Sequence, residues 1–201
     1  MVETDKKRDT IIEGAIKRFI HYGINKTTMN EIAEDLSVSK PSLYYYFPDK
    51  NSLVLGVIDK IFSDYFELIE KENTSIILLG DKLLSFIEIG HRFFQKYYML
   101  HLSGGSPDSS LNSEELKSHF MKMKEKNKQF HAGLFQEAIN NGEIAETDAE
   151  KTADLYLDSL AGISSLCILH GNKELFPSKK EFKAMLEKQI NLSRIFVKGL
   201  K

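Results

Sequence analysis

The run Thr28–Phe47, TMNEIAEDLSVSKPSLYYYF, decides the fold. Thr28 is placed to cap a helix, and Glu31 three residues on completes a capping box. Ile32, Ala33 and Leu36 recur at helical spacing and give a short helix one apolar face. Ala33 is small enough to let a second helix cross closely. Ser37-Val38-Ser39 breaks the pattern, with Val38 as a turn residue set into the core. Ser39 is a second N-cap, and Pro41 falls in the first turn, where no intrahelical N–H is needed. Leu43 and Phe47, four apart, face inward together. Lys40, Ser42, Tyr44, Tyr45 and Tyr46 are then shared between the core edge and the outer face. Three consecutive tyrosines on a helix cannot all point into one core, so at least one is exposed.

A short exposed helix with hydroxyls, a lysine and tyrosines suits a major groove. Hydroxyls and lysine reach phosphates and base edges, and proline or tyrosine carbon can touch a thymine methyl. From spacing alone, a DNA-binding helix-turn-helix and a packed αα-hairpin both fit.

Around this run, GINKTTMNEIAEDLSVSKPSLYYYFPDKNSLV resembles the N-terminal domain of the tetracycline-repressor (TetR) family of transcriptional regulators. The matching features are Gly23 at the end of a first helix, Thr28, Ile32-Ala33, Val38-Ser39, Leu43-Tyr44, Phe47, Lys50 and Leu53. The likeness covers about residues 8–55. The rest of the chain matches in length and helical character only. The resemblance implies a helix-turn-helix DNA-binding domain over 1–48 and a helical ligand-binding and dimerisation domain over 49–201. It places Lys40, Pro41 and Tyr44 nearest the bases, with Asn30 as a lesser candidate and Tyr45 on the same helix. Thr28, Ser42, Tyr46 and Lys50 would hold phosphates. Where the family usually has glycine in the turn, this chain has Ser37. A left-handed Ser37 would cost roughly 1–2 kcal/mol.

The fold class is all-α. Apolar residues recur at three- and four-residue steps almost throughout, and the valine–threonine alternation of strands is missing. At 201 residues the chain can hold one domain or two small ones. Its formal charge of −2 is unusual for a DNA binder. The first fifty residues carry eight Lys/Arg against eight Asp/Glu. Attraction to DNA must therefore come from a local patch: Lys26, Lys40 and Lys50 beside the motif, and an arm of Lys6, Lys7 and Arg8. The polar start MVETDKKRDTII gives no expectation of a signal peptide, and no apolar run suffices to span a membrane. A single cysteine, Cys167, fits a reducing cytoplasm.

Beyond the motif, periodicity predicts a first helix over about 6–21 and a long fourth helix opened by Asp49. A polar break follows at 70–74, then a fifth helix over about 76–102. The serine- and glycine-rich stretch 103–110 reads as a loop. Further helices follow over about 113–141, 148–170 and 178–200. The resemblance implies that the last two pair with symmetry mates in a homodimer, setting two recognition helices on a palindromic operator in double-stranded DNA.

The family also implies a small-molecule effector bound among the central helices. Candidate contacts are His91, Phe94, Tyr98 and His101 on one side of the fifth helix, and Phe120, Met123, Asn127 and Phe130 on a stripe of the next. Tyr156 on the following helix joins them. Asn127 reads equally as a buried amide bonded to a neighbouring helix. The lining suggests a largely apolar effector.

An enzyme is not expected. The chain lacks a phosphate-cradling glycine loop, an HExxH pair and a nucleophile elbow. No cofactor or metal is expected either: its six histidines are scattered and Cys167 has no companion. A helical protein-interaction module without DNA binding is the competing class.

Overall fold

The computed structural model describes residues 2–98, 114–170 and 177–201, with side chains omitted for residues 2–5 and 168–170. All regular structure among the described residues is helical. In order the helices are α1 (Val2–Tyr22), α2 (Met29–Asp35), α3 (Lys40–Tyr46), α4 (Lys50–Ser75), α5 (Leu79–Lys96), α6 (Glu114–Asn140), α7 (Ala149–His170) and α8 (Lys179–Gly199). No described helix is long and apolar enough to cross a membrane. The loop expected at 103–110 and the candidate His101 lie outside the described residues.

The chain forms two compact units. One comprises Met1–Asp64 with Lys96–Phe120, the other Tyr65–Gln95 with Met121–Lys201.

In the first unit, α1 buries Ile11, Ile12, Ala15 and Phe19. Gly23, with φ 78°, ends it in a left-handed turn that a Cβ would strain. Thr28 and Glu31 form a reciprocal capping box: the Thr28 N–H donates to Glu31 Oε2 at 2.8 Å, and the Glu31 N–H to Thr28 Oγ1 at 3.3 Å. Ser39 caps α3 by accepting from the Ser42 N–H at 3.3 Å, with Pro41 inside the first turn. Leu43 and Phe47 are both fully buried. Leu53, Val54 and Val57 of α4 are buried as well, so the unit's apolar core draws on the first turns of α4 and not on α1–α3 alone. Asp49 caps α4 by accepting from the Ser52 N–H at 2.7 Å.

Between α2 and α3 the Val38 N–H donates to the Ala33 carbonyl at 2.9 Å and the Ser37 N–H to the Glu34 carbonyl at 3.0 Å. This 6→1 and 5→2 pair is a Schellman motif, and it needs a left-handed residue after the cap. Ser37 supplies it, with φ 52°. Gly14 leaves room for Leu36 beside this turn: a Cβ there would come within 2.5 Å of Leu36 Cδ2, and that side chain would have to shift. Changing Ser37 to Gly removes the left-handed penalty, while glycine's extra unfolded-state freedom returns part of the gain. The expected net stabilisation is about 0.5–1 kcal/mol, read as a higher denaturant midpoint at unchanged slope. A lower midpoint would contradict the strain argument.

The second unit packs Leu83, Phe86, Ile87, Leu134, Phe135, Tyr156 and Met185 into its interior. Helix α6 ends in another Schellman motif around Gly142, φ 70°. Lys82, almost fully buried, pairs with Glu137 at 3.2 Å, and the Leu79 N–H donates to Glu143 Oε2 at 2.9 Å.

Two expectations need correction. The polar residues 70–74 do not interrupt α4, which runs on to Ser75. They form its last turns, with Glu70, Lys71 and Thr74 exposed and Glu72 and Asn73 half-buried, and Thr74 Oγ1 donates back to the Lys71 carbonyl at 2.7 Å. The buried residues of that end are Phe66 and Ile69, while Leu68 is exposed. The fifth helix begins at Leu79, not near 76, and spans Leu79–Lys96; its expected end near 102 lies outside the described residues.

Candidate nucleic-acid interface and internal cavity

Helix α3 is held from beneath and open above. Leu43 and Phe47 anchor it, whereas Lys40, Pro41, Tyr44 and Tyr45 are exposed. Tyr45 is the most open of the tyrosines at 77 %, and Tyr46 packs edge-on against it at 5.2 Å. Ser42 and Tyr46 are half-buried at the helix flank. Thr28 and Asn30 are exposed at the start of α2. These candidates thus form a surface on two consecutive helices joined by a fixed turn.

Two of the three acidic residues of α2 are engaged by a cation of α1. Arg18 reaches Glu31 at 2.8 Å and Asp35 at 2.6 Å. Glu31 is held below the usual carboxylate range, first by the Thr28 backbone N–H and then by its hydroxyl, with Arg18 adding to both. Lys50, half-buried at the head of α4, has its pKa lowered by burial, and Glu31 opposes that shift.

The second unit contains a cavity of about 250 Å³. Tyr65 of α4, six residues of α5 including Phe86 and His91, Asn127 and His131 of α6, Tyr156, Leu160 and Ser164 of α7, and Met185 and Gln189 of α8 line it. None of the lining side chains is ionised carboxylate, lysine or arginine. The polar groups are partly paired. Tyr156 donates to Ser193 Oγ at 3.0 Å, and Gln189 Nε2 donates to Ser164 Oγ at 3.0 Å. His131 Nδ1–H donates to the Asn127 carbonyl at 2.9 Å, and burial pulls its pKa down to about 4. Burial also lowers His91 and pushes the Tyr65 phenol up to about 12. Two buried atoms of this lining have no partner: Asn127 Oδ1 and His91 Nδ1.

Four of the sequence candidates, His91, Phe94, Asn127 and Tyr156, come together in this wall. Phe130 lies in an aromatic cluster with Phe86, Phe66 and His131, at ring distances of 5.7, 6.4 and 5.6 Å. Met123 is half-buried away from the lining, and Phe120 is 46 % exposed in the first unit. Tyr98 is buried, also in the first unit. Sequence reasoning missed Tyr65, Phe86, His131, Ser164 and Gln189. His131 carried a signal, being four residues after Asn127 on one helix face. Gln189 carried another, lying between Met185 and Ser193 on the buried stripe of α8.

An N-terminal helix-turn-helix followed by a unit whose regular structure, among the described residues, is helical and which holds a cavity defines the class of helix-turn-helix proteins with an appended helical domain. The profile of bacterial regulatory proteins of the tetR family matches residues 11–57. The biofilm operon icaADBC negative transcriptional regulator IcaR of Staphylococcus epidermidis is 29% identical over 120 residues, 58% of this chain and 62% of that protein. IcaR of Staphylococcus aureus is 35% identical over 99 residues, 46% of this chain and 53% of that one. The chain thus spans little more than half the length of these curated relatives. The crystal structure of a transcriptional regulator from Cytophaga hutchinsonii superposes with a TM-score of 0.84 at 28% identity, covering 96% of this chain and 98% of that one. Residues 11–57 thus carry the N-terminal helix-turn-helix of the tetR family of bacterial regulatory proteins, and the chain as a whole shares the fold of a solved transcriptional regulator.

Proposed function

We propose that the protein is a ligand-responsive DNA-binding transcriptional regulator, a repressor that releases its operator when a small effector occupies the cavity of the second unit. The observation that carries this reading is α3, anchored by Leu43 and Phe47 while Lys40, Pro41, Tyr44 and Tyr45 are open to a major groove. Lys40, Pro41 and Tyr44 meet base edges, with Asn30 and Tyr45 beside them. Thr28, Ser42, Tyr46 and Lys50 hold phosphates. IcaR's description as a negative regulator supports repression as the mode of action.

A head with as many acids as bases binds one duplex face weakly, so two heads on a two-fold axis are needed. Exposed Leu155 of α7 and Ile195 of α8, with open space around Gly162, support these two helices as the homodimer face. Effector binding moves the cavity wall, and the spacing of the paired α3 helices then no longer fits the operator. A reducing cytoplasm suits this role.

The test is duplex binding by fluorescence anisotropy, with oligomeric mass read by light scattering. Lys50→Ala is expected to weaken binding to all sequences alike. Lys40→Ala and Tyr44→Ala are expected to change the preference at individual base pairs by about 1–3 kcal/mol. A chain that is monomeric, or whose duplex affinity ignores all three changes, would be a helical interaction module instead.

A further inference from the structure

The cavity's inventory of donors and acceptors is specific enough to choose among effector chemistries. No carboxylate, lysine or arginine lines it, so an ionised ligand group would be buried without a counter-charge at heavy cost. Its volume of about 250 Å³ exceeds the ~150 Å³ apolar cavity that accommodates one benzene ring, so it admits two fused rings. Tyr65, Phe86, Phe94 and Tyr156 supply flat aromatic walls.

Two polar atoms stand unpartnered in this lining. Asn127 Oδ1 is an amide acceptor with no donor, and His91 Nδ1 belongs to a ring only 8% exposed. Native interiors rarely leave such atoms unpaired, because each costs about as much as a lost hydrogen bond. A fully methylated ammonium would find aromatic faces here, but it has no N–H to offer Asn127. A hydroxyl both donates and accepts, so it serves Asn127 Oδ1, and it serves His91 Nδ1 in either tautomer.

We infer that the cavity takes an uncharged bicyclic aromatic ligand bearing a hydroxyl, which donates to the Asn127 side-chain carbonyl. This rests on the reading of the cavity as the effector site. It narrows a largely apolar ligand to one with a required hydrogen-bond donor.

The chain contains no tryptophan, and its eight tyrosines emit at shorter wavelength than a naphthyl ring, so ligand emission can be followed to the red of the protein's. The probes are 2-naphthol, naphthalene, 2-naphthoate and tetramethylammonium, the last by calorimetry, against the full chain at pH 7. Expected is binding of 2-naphthol about tenfold or more tighter than naphthalene, with 2-naphthoate and tetramethylammonium weaker still. Asn127→Leu should erase the advantage of 2-naphthol over naphthalene while retaining naphthalene. Equal binding of the two neutral probes by the wild type would overturn the inference, as would preference for either ion. Failure of all four probes would also overturn it, leaving the DNA-binding half of the functional reading intact. If 2-naphthol binds as expected yet operator affinity does not change, the ligand class stands and the cavity's role as effector site falls.

Discussion

Phe47→Ala is expected to destabilise the first unit by about 3–5 kcal/mol, the usual cost of emptying a buried aromatic site. The ring is 1% exposed and is held on several sides. A Cβ on Gly56 would lie 3.1 Å from it, and the Arg8 guanidinium sits 5.1 Å over its centroid. Its backbone N–H also closes α3 on the Leu43 carbonyl at 3.0 Å. Losing the ring therefore removes the anchor of α3 and leaves a cavity that Gly56 cannot fill. A loss of this size is a large fraction of a small domain's stability, so duplex binding should fail with it. Tyr45→Ala, two residues away but 77% exposed, should stay within about 0.5 kcal/mol of wild type. Denaturant midpoints of the two variants decide the matter. A Phe47→Ala loss under about 1 kcal/mol would mean that α3 is anchored elsewhere.

The second large effect is on acid stability. His131 is buried among Phe86, Phe130 and Tyr156, and its pKa falls from 6.5 to about 4. Between those values the unfolded chain binds a proton that the folded chain refuses. Stability must therefore fall as the pH drops from 6.5 toward 4, by up to about 3 kcal/mol from this group. His91, shifted in the same direction by burial, adds to the slope. Carboxylates with lowered pKa values, such as Asp148, also lose stability in acid, so the comparison must be differential. His131→Phe removes the titrating ring but keeps an aromatic of similar shape. The stability gap between wild type and this variant should move in the variant's favour as the pH is lowered from 7 to 4. A gap that does not change with pH would show that His131 is not held neutral.

The head was legible because its signals are local. Thr28 with Glu31, Ser39 with Pro41, and Leu43 with Phe47 each act within one or two turns, and each appears in the structure as spacing predicts. The far end of α4 was not legible in this way. Of residues 70–74, Glu70, Lys71 and Thr74 face water while Glu72 accepts from Ser85 Oγ at 3.1 Å, and such a polar helical turn has the same composition as a break. Apolar residues also crowd the preceding turns, and only packing buries Phe66 and Ile69 while leaving Leu68 exposed. The cavity is harder still. Tyr65, His131, Ser164 and Gln189 come from four helices, and their meeting depends on tertiary packing that no periodicity records.

Glu31 closes the first turn of α2, pairs with Arg18 and lies near enough to Lys50 to favour its charged form. In its proposed phosphate-holding role, Lys50 would approach DNA with an internal carboxylate already acting on it. A phosphate arriving there exchanges places with that carboxylate in Lys50's electrostatic surroundings, rather than meeting a bare cation. On that proposal the event is a local ion exchange, and DNA binding by the first unit is expected to be less sensitive to added salt than a count of its basic residues implies.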